Sequence, residues 1–190
     1  MAREVTVRVV LAGWLLGVLT WPVLGLGIAW MGLLPSQVDG PPPAWEKTVA
    51  QMALHNSVER NAPRIANPIA ATEDNLLAGL NVFETACAGC HGDPSAQSDY
   101  GASHYPNVPQ FAKHAPRLPD YQLFWIIRNG IRFSAMSAWD RQWHNNQAKS
   151  DDQIWKAALF LRRLDTLPPA VDAAWRGKAP RLDSLDRDTN

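Results

Sequence analysis

The charge-free run from Val9 to Leu34 is the feature that most limits what this chain can fold into. As a helix, its roughly 26 residues would span about 39 Å, enough to cross a bilayer with some tilt. A cleaved signal peptide is the rival. Its apolar core would be shorter, roughly 7–15 residues, and would end at a small-residue cleavage site, which is not evident before Pro35. Pro22 lies mid-span and predicts a kink of the kind membrane helices tolerate. Arg3 and Arg8 precede the run, whereas Glu46, Lys47, Glu59 and Arg60 follow at a distance. The positive-inside rule therefore puts the N-terminus in the cytoplasm and the rest of the chain on the opposite, periplasmic side.

With residues 1–34 assigned to the anchor, the remainder of the 190 residues suits one compact domain. Its 18 Lys and Arg balance 18 Asp and Glu, so no overall field draws it to a polyanion, and nucleic acid is excluded as a partner. Pro35 to Pro43 contains four prolines and Gly40, a composition for a semi-rigid spacer. Beyond it Trp45, Val49 and Met52 fall at helical spacing and predict a short amphipathic helix to about Arg60. Residues 35–70 are thus read as a tether with a short helix, 71–168 as the folded domain, and 169–190 as a polar tail.

Within 71–168 every strong pattern is helical. Thr72 is a candidate cap, Glu73 and Asp74 suit a helix N-terminus, and Leu76, Leu80, Phe83 and Cys87 make one stripe. From Gly92 to Pro119 the chain is proline-rich and aperiodic, an ordered loop whose shape must come from something it wraps. Asp120 to Arg128 reads as a helix that opens after Pro119, buries Leu123, Phe124 and Ile127, and stops at Asn129-Gly130. Ser150-Asp151-Asp152-Gln153 fits a capping box for a last helix through Ile154, Trp155, Ala158, Leu161 and Leu164, ended by Pro168-Pro169. No strand pattern competes, so the fold class is all-α. Of nine tryptophans, Trp14, Trp21 and Trp30 lie in the apolar run, while Trp125, Trp139, Trp143 and Trp155 gather in the second half.

The only two cysteines lie in Cys87-Ala88-Gly89-Cys90-His91, which rules out a disulfide framework and leaves one local chemistry. The C-x-x-C-H spacing is that of covalent haem attachment. One helical turn presents two thiols to the two haem vinyl groups, the adjacent imidazole meets the iron, and Ala88 and Gly89 keep the backbone close to the ring edge. Three other readings compete. A thioredoxin-like pair wants a βαβ context, zinc wants more ligands, and a bare disulfide is compatible with an oxidising compartment. If haem is bound, a second axial ligand is needed downstream, and a His/Met pair closes the iron to substrates. Met136, between two predicted helices, is the best candidate. Met52 is its competitor, Met1 and Met31 lie in the wrong compartment or the membrane, and His55, His104, His114 and His144 read more simply as surface or hydrogen-bonding residues.

From about Met52 to Leu164 these residues resemble the class I c-type cytochromes, most of all a membrane-anchored bacterial single-haem subgroup. Gly79, Phe83 and the Cys87–His91 motif have the order and spacing of the family's N-terminal helix, where glycine lets the C-terminal helix cross closely. Phe160 is similar to the aromatic residue that packs over that glycine. Tyr105-Pro106-Asn107-Val108-Pro109 resembles a loop in which a proline carbonyl, Pro106 or Pro109, accepts the ligating histidine's ring N–H. Phe124 to Ile131 and Ser150 to Trp155 are also similar to that subgroup. The family commonly has Gly-Met-Pro-Ala-Trp around the ligand, whereas Ala135-Met136-Ser137-Ala138-Trp139 stands here.

The resemblance implies one covalent haem c held by Cys87 and Cys90, with His91 and Met136 as axial ligands. The chain would then be an electron carrier, not an enzyme, serving redox partner proteins of the periplasm or inner membrane. Arg128, Arg132 and Lys149 are candidates for a positive docking rim, although solvated charges or a propionate contact explain them more plainly. Two other functions stay open. One is a five-coordinate haem enzyme or a gas or peroxide sensor, suggested by the altered ligand loop. The other is an accessory haem subunit of a membrane oxidoreductase.

Overall fold

The computed structural model describes residues 2–34, 36, 37, 40, 42–139 and 147–177, with the side chains of 2–6 and 147–149 left outside the description. Pro35, Trp143, His144, the tail beyond Gly177 and the side chains of Arg3 and Lys149 therefore lie outside the described residues. Met1–Gly40 forms one unit and Pro41–Asn190 another.

In the first unit, helix α1 runs from Ala2 to Trp30 with Pro22 inside it. Its stretch Val7–Trp30 has a mean hydropathy of 2.0, and Trp14, Trp21 and Trp30 are exposed, as lipid-facing side chains would be. By length and composition it is able to cross a membrane. The helix ends where Gly32 takes a φ of 70°, a left-handed conformation that glycine adopts without penalty.

The second unit contains α2 (Ala44–Asn61), α3 (Glu73–Ala86), α4 (Ala88–His91), α5 (Asp99–Ala102), α6 (Asp120–Asn129), α7 (Gln147–Arg162) and α8 (Pro169–Trp175). Among the described residues there is no strand, so the domain is all-α. Helix α3 is capped as its sequence suggests: the Thr72 hydroxyl accepts the Asn75 N–H at 3.3 Å. Its stripe of Leu76, Leu80 and Phe83 is buried against Ile154, Ala158 and Phe160, and α3 and α7 form the most extensive helix pair. Gly79 makes the crossing close. A methyl group there would collide with the Lys156 carbonyl and crowd Phe160 Cβ, so no larger residue fits without separating the helices. Helix α6 also packs on α7, with the Phe124 ring stacked on Trp155 at 4.0 Å.

Three boundaries differ from the sequence reading. The domain does not end at 168: Val171, Ala174 and Trp175 of α8 are buried, and the Trp175 ring meets both Phe83 and Phe160 edge-on at 5.5 Å. Helix α7 already ends at Arg162, and Pro168-Pro169 starts another helix instead, because proline is favoured in a first turn. The tether does not extend to 70 either. Val58 and Ala62 are buried, Gln122 donates to Glu59 at 2.5 Å, and Asn67 donates to Asp120 at 3.0 Å and to the Trp155 carbonyl at 3.2 Å. Trp45, Val49 and Met52, the stripe that predicts α2, are instead exposed.

The third difference is at α7, which opens at Gln147, so Ser150 lies inside the helix and caps nothing. Its hydroxyl is buried without a hydrogen-bond partner, and so is Oε1 of Gln153. The three residues before Ser150 accept helical geometry readily, and helix extension outcompetes the local cap.

Candidate haem-attachment site

The site begins where α3 gives way to α4. Cys87 ends the stripe of α3, and its carbonyl accepts the N–H of Cys90 at 3.1 Å and of His91 at 2.9 Å. That single turn gathers both thiols and the imidazole at one end of the core. Gly92, with φ 69°, then turns the chain sharply away. The two thiols are not bonded to each other. Burial first, and the neighbouring Cys90 second, push the Cys87 thiol up to about 12. Redox-active and zinc-binding cysteines need the opposite shift, toward thiolate. Among the described residues, moreover, no cluster of three or more His, Cys, Asp or Glu is able to hold a bare metal ion.

His91 is only 9 % exposed. Its Nδ1 lies 2.8 Å from the Pro109 carbonyl, and since a carbonyl only accepts, the proton must sit on Nδ1. Nε2 is thereby left with its lone pair, the form a metal ligand requires. Of the two prolines open in the sequence, Pro109 makes this bond. Burial holds the imidazole below the ordinary histidine range, although the Pro109 bond opposes that shift. The Phe111 ring stacks on the imidazole at 4.4 Å with the planes 6° apart. Gln110 ties this segment to the motif, donating from Nε2 to the Cys90 and Val108 carbonyls, both at 3.0 Å.

Met136 follows α6 in a closed loop. Gly130, at φ 67°, packs so tightly that a methyl group would stand 2.7 Å from both the Met136 carbonyl and the Ala138 nitrogen. The Met136 carbonyl accepts the Ile131 N–H at 3.0 Å, and Ser134 Oγ both accepts from Met136 N at 3.1 Å and donates to the Ile131 carbonyl at 2.8 Å. Hydrogen bonds thus shape the loop where the commoner sequence would use glycine and proline. Met136 is half-buried against the core that also receives Cys87 and Phe111, while its competitor Met52 is 55 % exposed on α2. His55 and His114 are exposed, and His104 Nδ1 faces the Tyr100 carbonyl at 2.7 Å.

The candidate rim is not uniform. Arg128 pairs with Asp151 at 3.4 Å, although its Nε is not aligned for a hydrogen bond, and its guanidinium lies 5.9 Å from the Phe124 ring centroid. Arg132 is exposed. Sequence reasoning missed Gln110, Phe111 and Trp175. For the first two the available signal was their position directly after Pro109. Trp175 had only its spacing from the paired prolines.

The donor set fits haem c: two unpaired thiols on one turn, a buried histidine with Nε2 unprotonated, and a thioether from a separate loop. Residues 74–161 match the family model described as cytochrome C oxidase, cbb3-type, subunit III. No curated protein and no solved structure matches the chain.

Proposed function

This chain carries a class I c-type cytochrome domain with covalently bound haem c, and from that premise we propose that it is a membrane-tethered carrier of single electrons, in which Cys87 and Cys90 would attach the haem and His91 and Met136 would ligate its iron. When bound, the haem supplies a one-electron ferric/ferrous couple. The remaining work belongs to the protein. Cys87 and Cys90 would hold the ring edge to α4, and the Pro109 carbonyl keeps the proton on Nδ1 and so increases the donor strength of Nε2. Phe111 covers one face of the His91 ring, and Phe83 packs behind it against Phe111 and Trp175. A low-dielectric surround limits reorganisation when the charge on the iron changes.

The observation that carries this reading is the buried His91 with its tautomer set by Pro109, next to two unbonded thiols. A haem-stained denaturing gel and the spectrum of the membrane fraction test it. Wild type is expected to retain haem after denaturation, to show the Met-sulfur-to-iron band when oxidised, and to exclude carbon monoxide when reduced. Met136→Ala should keep the haem, lose that band and bind carbon monoxide. A wild-type protein that already lacks the band and binds carbon monoxide is a five-coordinate protein, and the carrier reading is then wrong.

The matched family is described as a subunit of an oxidase, which favours a second reading in which this chain is an accessory haem subunit of a membrane oxidoreductase. Native mass after solubilisation in mild detergent separates the two: a larger haem-containing assembly supports the subunit, and monomers alone count against it.

A further inference from the structure

The geometry points to Gln110 as a positioning residue for the His91 ring, acting through the Pro109 carbonyl. The inference rests on the haem-carrier reading and deepens it. Pro109 makes the bond that fixes the imidazole, yet proline has no N–H with which to anchor itself. Its carbonyl is held in place by its neighbours: the Val108 N–H donates to the Gly101 carbonyl at 3.3 Å, the Phe111 N–H bonds on the other side, and the Gln110 side chain adds three hydrogen bonds. The Gln110 amide spends both N–H groups on carbonyls, one on Cys90 in the attachment turn and one on Val108 just before Pro109. Its oxygen accepts the Ser98 N–H at 2.8 Å. Two carbonyls and one N–H fix the orientation of the amide, since a flipped group would set oxygen against oxygen twice.

The slot is built for this side chain. A methyl group on Gly92 would lie 2.6 Å from Oε1 of Gln110, and one on Gly101 would lie 3.1 Å from Nε2 and strike the Cys90 carbonyl. Ser98 closes the far side, donating to the Gly89 carbonyl at 2.5 Å and accepting the Gly101 N–H at 2.8 Å. Past Gln110, the Phe111 N–H donates to the His91 carbonyl at 3.2 Å, which places the Phe111 ring flat against the imidazole. One amide thus joins the attachment turn, the α5 cap and the segment that carries both partners of His91. Without it, only the backbone bonds of Val108 and Phe111 restrain the segment, and the Pro109 carbonyl gains room to drift from Nδ1.

The test uses the full-length haem-loaded protein with Gln110→Met, which keeps the length and volume of the side chain and removes all three hydrogen bonds. Gln110→Asn, one methylene short of the two carbonyls, is the second variant should the first not accumulate. Electron paramagnetic resonance of the oxidised protein, equilibrium redox titration and thermal unfolding are measured together. The expected result is a broadened or doubled low-spin signal, from rings no longer held in one plane, and a shift of the redox equilibrium toward the ferrous form. A weakened Nδ1–H bond leaves Nε2 a poorer donor to ferric iron, so the shift should be about tenfold, or about 59 mV for one electron. If the variants unfold earlier while signal and potential stay at wild-type values, Gln110 only braces the loop and the inference is overturned. If wild type itself shows no low-spin histidine-ligated signal, the haem-carrier reading fails first, and the inference with it.

Discussion

His91 shows how one side chain is prepared by its surroundings before any ligand is considered. The imidazole is buried, its Nδ1 proton is committed to Pro109, and a phenyl ring covers one face. Burial disfavours the imidazolium, so the folded chain binds fewer protons at this position than the unfolded chain. The associated stability is fully present above the ordinary histidine value and is lost as pH falls from there toward the depressed folded value. In the haem-loaded protein iron would compete with the proton for the same Nε2 lone pair, so acid release of the histidine should come below the ordinary histidine range. Phe111→Ala, which uncovers the ring, should move that release upward in pH. Absorbance titration of the low-spin band measures both, and an unchanged midpoint in Phe111→Ala would show that the stacked ring does not govern the protonation. The residues of the motif were legible from spacing alone, because five consecutive positions encode one turn. The Pro109 bond was only half legible: the sequence shows two prolines in the right loop, and the choice between them depends on how 18 residues of chain fold back.

At the scale of elements, the crossing of α3 and α7 was legible through the resemblance, which implies that Phe160 packs over Gly79, and the close approach at Gly79 agrees with it. Helix α8 left no such mark. Pro168-Pro169 reads as an end, and seven residues are too few for a periodic signal. What makes α8 part of the domain is non-local: Val171, Ala174 and Trp175 are apolar surface that only the assembled α3 and α7 can cover. The capping box at Ser150 failed for the converse reason, since a correct local signal was overridden by continuation of the helix from Gln147. Trp175 meets Phe83 and Phe160 together, so Trp175→Ala should cost about 3–5 kcal/mol, the range for removing a large buried aromatic. Denaturant unfolding followed by far-ultraviolet circular dichroism checks this. A loss under about 1 kcal/mol, the size of a peripheral substitution, would return α8 to the status of an appendage.

For the whole molecule, the division into a helical unit, Met1–Gly40, and a haem-domain unit, Pro41–Asn190, carries a functional argument independent of either structure. A soluble carrier meets partners by three-dimensional diffusion. On a short proline-rich tether the same domain would be confined near the bilayer, where its effective concentration toward a membrane-bound partner would reach the millimolar range. Tethering changes encounter and leaves the electronic properties of the site alone, so the two are separable. Replacing residues 1–34 by a cleavable export signal should release the domain into the soluble fraction with an unchanged haem spectrum. Its rate with washed membranes should fall at least tenfold at equal total concentration, while its rate with a small soluble oxidant stays the same. The intact protein should resist alkaline carbonate extraction and should retain its apolar N-terminus by mass. A mature N-terminus near Pro35 would instead identify α1 as a removed signal, and equal rates for both forms with membranes would mean that the domain meets its partner in solution and that the span serves export alone.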